Sequence, residues 1–137
     1  MYWGVFESKT WTEDDVDIEV THCGICGSDI HMLRSGWCPT DYRYHEFVDT
    51  VGRRQECPKI GDRVGVGAQA RSCMQADCPN CSIGQEGYCK RSNNNTYGHV
   101  FPKGGKAYSG YADYHRAHQH FTIKIPEDLD KMSKQAW

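Results

Sequence analysis

Four cysteines crowd one stretch of 17 residues: Cys73, Cys78, Cys81 and Cys89. Thiolates at such spacings are the donor set of a structural zinc site, where a divalent ion takes four tetrahedral sulfur ligands at about 2.3 Å. Closing four thiols on one ion requires short spacers that turn, and Pro79-Asn80, Gly84 and Gly87 are turn-forming residues. The stretch carries almost no apolar side chains, so burial cannot hold its shape and metal binding would supply the folding energy. Two disulfides among the same four thiols are the alternative chemistry. The chain shows no secretory signal, which favours metal thiolates in a reducing, cytoplasmic setting over oxidised pairs.

A second group lies near the start, in His22-Cys23-Gly24-Ile25-Cys26-Gly27-Ser28-Asp29-Ile30-His31. Gly24 and Gly27 permit a sharp turn, and Ser28 and Asp29 are good helix starters, so a short helix over Ile30, His31, Met32 and Leu33 is expected. Cys26 would then stand at a helix N-terminus, where the dipole favours the thiolate. A Cys23/Cys26 redox dithiol is the competing use of this spacing, but no thioredoxin-like βαβ pattern surrounds it. Cys23 itself reads as a small buried filler. Further on, His45 and Glu46 stand together at the start of a short apolar strand, where both could reach a metal.

The elements that must position these groups read as short strands. The 137 residues suffice for one domain with a core, and only 38% of them are hydrophobic, without helical periodicity. Val16-Asp17-Ile18-Glu19-Val20 alternates as a half-buried strand does, and it runs straight into the first cysteine group. Gly61-Asp62-Arg63-Val64-Gly65-Val66-Gly67 reads as a turn and a strand with glycines on one face, a mark of close backbone approach. Gly110 to His115 reads as another strand, and Phe121 to Ile125 alternates cleanly before Pro126. Asn93 to Lys106 reads as loop, and Glu127 to Trp137 as the start of a helix. Five or six such strands with glycine-marked corners point to a small, mainly β, partly open barrel from which the cysteine loop projects.

Several smaller signals take ordinary readings. His115, His118 and His120 read as surface histidines, the last two on one strand face. Tyr108, Tyr111 and Tyr114 read as barrel packing, and Cys38 and Cys57 as unpaired thiols. The aromatics of the first eleven residues read either as packing against the domain or as a remnant of a longer start. A formal charge of −2, with scattered lysines and arginines, excludes the clustered positive face of a nucleic-acid binder or a free-standing nucleic-acid zinc finger. No apolar run approaches a membrane span.

Taken in order, Cys23-Gly-Ile-Cys26-Gly-Ser28-Asp29-Ile-His31, His45-Glu46, Gly61-Asp62-Arg63-Val64, the four-cysteine loop and Gly110-Tyr111-Ala112-Asp113-Tyr114 resemble the zinc-dependent medium-chain alcohol dehydrogenases. The resemblance is to the cinnamyl alcohol dehydrogenase-like, NADP-dependent branch and covers about Asp15 to Asp130. It implies a GroES-like catalytic domain over 15–130, with a structural-zinc lobe over 73–89, an irregular segment over 1–14, and 131–137 leading toward a Rossmann nucleotide-binding domain. No Gly-x-Gly-x-x-Gly occurs in this sequence, so NADP is expected only in a full-length relative, and the chain reads as the catalytic-domain part alone. Cys26 and His45 would ligate a catalytic zinc, with Glu46 the adjacent carboxylate. Ser28 would take the alcohol proton, His31 would relay it outward, and Asp29 would orient the histidine ligand. Cys73, Cys78, Cys81 and Cys89 would hold the structural zinc. Alcohol or aldehyde substrates and a homodimer belong to the implied full-length protein; a non-catalytic zinc-binding module derived from the domain is the alternative. This chain departs from the family pattern in two places. The spacer from Cys73 to Cys78 is longer than the commonest one. The approach to His45 is short, with Tyr44 where the family has glycine.

Overall fold

The computed structural model describes residues 4–37, 50–54, 61–101, 104–126 and 128, with only the backbone path of 50–54. His45, Glu46, Cys38, Cys57 and the expected C-terminal helix, Asp128 apart, lie outside the described residues.

The protein is built on a five-stranded antiparallel sheet in the order β8-β1-β2-β3-β9. Its strands are β1 (Asp15–Cys23), β2 (Thr50–Arg54), β3 (Asp62–Val66), β8 (Tyr114–His118) and β9 (Thr122–Lys124). The edge strands β8 and β9 do not pair with each other, so the strand-rich architecture is partly open, as the sequence suggests. Two short ribbons complete it: β4 (Gln69–Ser72) with β5 (Asn93–Asn95), and β6 (Tyr97–Val100) with β7 (Lys106–Tyr108). One short helix, α1 (Gly27–Leu33), follows β1. No helix among the described residues is long and apolar enough to cross a membrane.

The alternation along β1 is realised side chain by side chain. Val16 and Ile18 point inward and join Val64, Val66 and Ala117 in one apolar cluster, while Asp17 and Glu19 face solvent. Register explains the cluster. Val16 lies opposite Ala117, and residues directly opposite in an antiparallel pair share a face. Beneath the cluster's rim, Asp15 is buried, held by the Lys9 ammonium and by the backbone N–H and hydroxyl of Thr12, each hydroxyl or amide contact at 2.9 Å.

Sequence and structure part in several places. The stretch expected as loop after Asn93 carries β5, β6 and β7, strands of three or four residues defined by their partners rather than by alternation. The strand expected from Gly110 begins only at Tyr114, because Gly110 to Asp113 is a turn. The last strand has the opposite phase to that expected: Thr122 is buried opposite Val66, whereas Ile123 is exposed. A 3-10 turn at Gln119–Phe121 shifts the phase by one residue, and a one-residue slip exchanges the two faces. The same turn removes the alternation that was expected to align His118 with His120. Finally, a Cβ at Gly65 would meet no described atom within 4 Å, so this glycine marks no close approach. Gly61 is needed for the turn before β3, at φ +98.

The tyrosines divide. Tyr108 packs on Phe6 with ring centroids 4.2 Å apart and Tyr111 packs on Met32, whereas Tyr114 is exposed. His115, expected at the surface, has an enclosed ring: Nδ1 lies 3.0 Å from the Ser109 carbonyl oxygen, and burial pushes its pKa down.

Two predictions follow from the sheet. Ile18 is fully buried in the apolar cluster, so Ile18→Ala should cost roughly 2–5 kcal/mol in urea unfolding through lost burial and the cavity left behind. Opposite it in face, Arg116 donates to both Asp17 carboxylate oxygens, Nε at 2.6 Å and Nη2 at 2.8 Å. The guanidinium holds the Asp17 carboxyl below the ordinary carboxylate range. A depressed carboxyl pKa stabilises the fold above its unfolded value and loses that contribution as pH falls through the folded value. Asp17 is half exposed, so Asp17→Asn should cost only about 0.2–1 kcal/mol at neutral pH. Urea titrations should show the difference between the two proteins fading as the solution is acidified below the carboxylate range.

Candidate metal centre and helix-capping cysteine

The four-cysteine loop leaves the domain through β4 and returns through β5. Ser72 pairs with Asn93 at the base, so both ends of the excursion are fixed to each other. Within it the chain is held by turns. The Cys78 N–H donates to the Gln75 carbonyl at 3.0 Å, the Ser82 N–H to Cys78 at 3.0 Å, and the Cys89 N–H to Glu86 at 3.0 Å. Gly84 closes the 3-10 turn Cys81–Ile83 in the left-handed region at φ 74, which favours glycine. Side chains whose partners are not legible in the sequence add cross-links. Asn80 donates to the Tyr88 carbonyl at 2.7 Å, Asn93 to the Gly87 carbonyl at 2.7 Å, and Arg91 donates to Gln75 and Asp77.

These restraints bring the four Sγ atoms within 4.8 Å of one another. Cys73 and Cys81 are 3.6 Å apart, Cys78 and Cys89 3.9 Å. A tetrahedron of sulfurs about 2.3 Å from a central ion has edges of roughly 3.8 Å, so the donor set fits zinc. A disulfide requires about 2.05 Å, and all four are unbonded thiols. The electrostatics point the same way. The Cys73 and Ser92 N–H groups hold Cys89 down to about 6. The Cys81 N–H, and behind it that of Asn80, lower Cys78 as well. At Cys73 the Gln75 N–H favours the thiolate, but burial and the Cys89, Cys78 and Cys81 sulfurs outweigh it and push the thiol up to about 12. Amides aimed at Cys89 and Cys78 thus favour their thiolates, while the neighbouring sulfurs oppose ionisation of Cys73. Among the described residues this is the group able to hold a metal ion.

The first cysteine group is organised differently. A bulge between Val20 and His22 re-aims the end of β1, and the chain turns into α1. Cys26 is the N-cap, with Ser28 N–H donating to its Sγ at 3.3 Å and its own N–H donating to Asp29 Oδ2 at 2.6 Å. Ser28 and Asp29, expected to start the helix, occupy its first turn, and Cys26 stands at its N-terminus as expected. Asp29 is buried, and its Oδ1 has no partner among the described residues. His31 is exposed and stacks on Trp37, ring centroids 4.8 Å apart and 16° from parallel. Cys23 is half buried against Met32. Cys26, Ser28, Asp29 and His31 therefore share one short helical segment.

The lobe also touches the main sheet. His120 Nε2, in the turn between β8 and β9, lies 2.9 Å from Glu86 Oε1 three residues before Cys89. Cys78 is buried at the centre of the cluster, so Cys78→Ser should remove about one zinc per chain by elemental analysis. The Ser82, Gly84 and Cys89 amides should then lose hydrogen-exchange protection, while those of β1 and β3 keep theirs.

With this geometry in view, the relatives are informative. Residues 12–127 match the alcohol dehydrogenase GroES-like domain. A probable mannitol dehydrogenase of Fragaria ananassa is 40% identical over 130 residues, 90% of this chain and 35% of that protein. A probable cinnamyl alcohol dehydrogenase of Oryza sativa is 38% identical over 91% of this chain and 36% of its own length. The NADP-dependent alcohol dehydrogenase 6 of Saccharomyces cerevisiae is 36% identical over 90% and 36%. Among solved structures, a cinnamyl alcohol dehydrogenase of Sorghum bicolor superposes with a TM-score of 0.78 at 30% identity, over 89% of this chain and 36% of that one. The chain thus spans about a third of the length of these relatives. Strand order, helix-capping cysteine and four-sulfur lobe all lie within the matched span, and the chain belongs to the GroES-like domain family of the alcohol dehydrogenases.

Proposed function

We propose that this chain forms the zinc-binding catalytic-domain part of an NADP-dependent alcohol dehydrogenase that interconverts alcohols and aldehydes. The observation that carries the reading is the segment Cys26-Gly-Ser28-Asp29-Ile-His31 folded as one capped helical turn inside a GroES-like domain. Relatives named as cinnamyl alcohol, mannitol and NADP-dependent alcohol dehydrogenases support the reaction class and the cofactor. The full-length relatives would provide the NADP site and the homodimer; this chain provides metal ligands and a proton path.

Two zinc ions fit the donor chemistry. The lobe sulfurs would hold a structural ion. Cys26 and His45, with Glu46 beside them, would hold a catalytic one, which when bound polarises the substrate oxygen. Asp29 supports this assignment. One of its oxygens fixes the Cys26 backbone, and the other is buried and unpartnered among the described residues, as suits a carboxylate that orients an imidazole N–H. Ser28, two residues from Cys26, would take the alcohol proton. His31, exposed at the far end of the same turn, would hand it to solvent. Stacking on Trp37 holds the imidazole near that boundary without enclosing it.

The competing reading is a zinc-binding module without catalysis. It rests on the four cysteines, which by themselves form a group able to hold a metal ion. Metal stoichiometry separates the two. The purified chain, dialysed against a mild chelator and then loaded with zinc, should hold about one ion tightly and a second more weakly. Cys26→Ser or His45→Ala should remove the second and spare the first. About one zinc, unaffected by either substitution, would leave the non-catalytic module standing.

A further inference from the structure

Both ends of the spacer Met74-Gln75-Ala76-Asp77 are metal ligands, and its length sets where Cys73 lies relative to Cys78. All four residues are exposed, so packing does not define their path. Met74 even adopts φ 51, a left-handed conformation that an L side chain takes at a cost. Something else must hold the spacer. Arg91, two residues beyond the fourth cysteine, reaches across the lobe to it. Its Nη1 donates to Gln75 Oε1 at 2.9 Å and Asp77 Oδ1 at 2.7 Å, and its Nη2 to the Asp77 carbonyl oxygen at 3.3 Å. The Gln75 carbonyl in turn accepts the Cys78 N–H, which carries the restraint directly to a ligand.

We propose that Arg91 is a positioning residue for the metal: its guanidinium clamps the Cys73–Cys78 spacer to the strand leaving Cys89, so that all four sulfurs stay in tetrahedral reach. The proposal rests on reading the four cysteines as a zinc site. The clamp works by geometry rather than charge, since Arg91 and Asp77 neutralise each other. Their side chains are 42% and 75% exposed, so the ion pair by itself contributes little to global stability. What the fork supplies is a fixed distance between two ligand-bearing segments, which a lysine point charge does not reproduce.

Zinc release from the full chain to a chromogenic chelator tests this, with cobalt substitution reporting the tetrahedral thiolate geometry. Arg91→Ala should release zinc at least about tenfold faster, in the range found for outer-shell partners, with melting temperature nearly unchanged. Its cobalt spectrum should lose intensity or shift. Arg91→Lys should recover less than half of the loss. The exposed double variant Gln75→Ala/Asp77→Ala should match Arg91→Ala, which keeps the test sound if the arginine variant folds poorly. Wild-type release rates in Arg91→Ala or in the double variant, or full rescue by lysine, would overturn the clamp. A wild-type chain that retains no zinc would instead overturn the zinc reading on which the clamp stands.

Discussion

Four sulfurs gathered within 4.8 Å of one another repel as soon as they ionise, and everything about the lobe answers that repulsion. Backbone amides aimed at Cys89 and Cys78 favour their thiolates, while Cys73, surrounded by the other three sulfurs, is driven the other way. A divalent cation at the centre would resolve the conflict by ligating all four. The surrounding turns cannot collapse onto an apolar core to compensate for a missing ion, because the lobe has none: Met74, Ile83 and Tyr88 all point outward. Residues 73–89 are therefore held by turns and polar cross-links around sulfurs able to hold a metal ion, whereas the main sheet depends on burial.

Those two sources of order were unequally legible in the sequence. Metal-ligand spacing is local and its residue type is unambiguous, so the cysteine loop reads directly. β1 reads equally well, because Val16 and Ile18 alternate with charged residues on a strand with one wet face. The helix after Cys26 follows from its glycines and first-turn acid, and the cysteine stands at its N-terminus as that pattern implies. The ribbons β4–β5 and β6–β7 were illegible for a physical reason. Strands of three or four residues, one of them Asn93-Asn94-Asn95, have no periodicity to show and exist only because a distant partner is present. Phase in β9 failed similarly. Nothing in Phe121 to Ile125 announces the 3-10 turn that puts Thr122 inside and Ile123 outside.

Of the residues expected to carry chemistry, the structure gathers Cys73, Cys78, Cys81 and Cys89 into one cluster and Cys26, Ser28, Asp29 and His31 into one helical segment. His45 and Glu46 lie outside the described residues. The bracing contacts of the first cluster are not legible in the same way: Arg91 and Glu86 are ordinary polar residues until the fold brings their partners close, and Asn80 and Asn93 read only as turn and loop residues.

The two orders meet at the base of the lobe. Strand β4 continues from β3 through a short connection, Thr96 donates its N–H to the Ala68 carbonyl at 2.8 Å, and Ser109 donates to Thr96 at 2.9 Å. His120 then ties Glu86, inside the lobe, to the turn that sets the phase of β9. A lobe built around four sulfurs able to hold a metal ion is thereby joined to a sheet folded by burial through polar contacts on two sides. Loss of the ion should loosen these contacts without exposing Ile18 or Val64, because neither side chain's burial draws on the lobe. Such an arrangement would let a bound metal order its own segment and the anchoring turn while the sheet that leads into Cys26 keeps its independent stability.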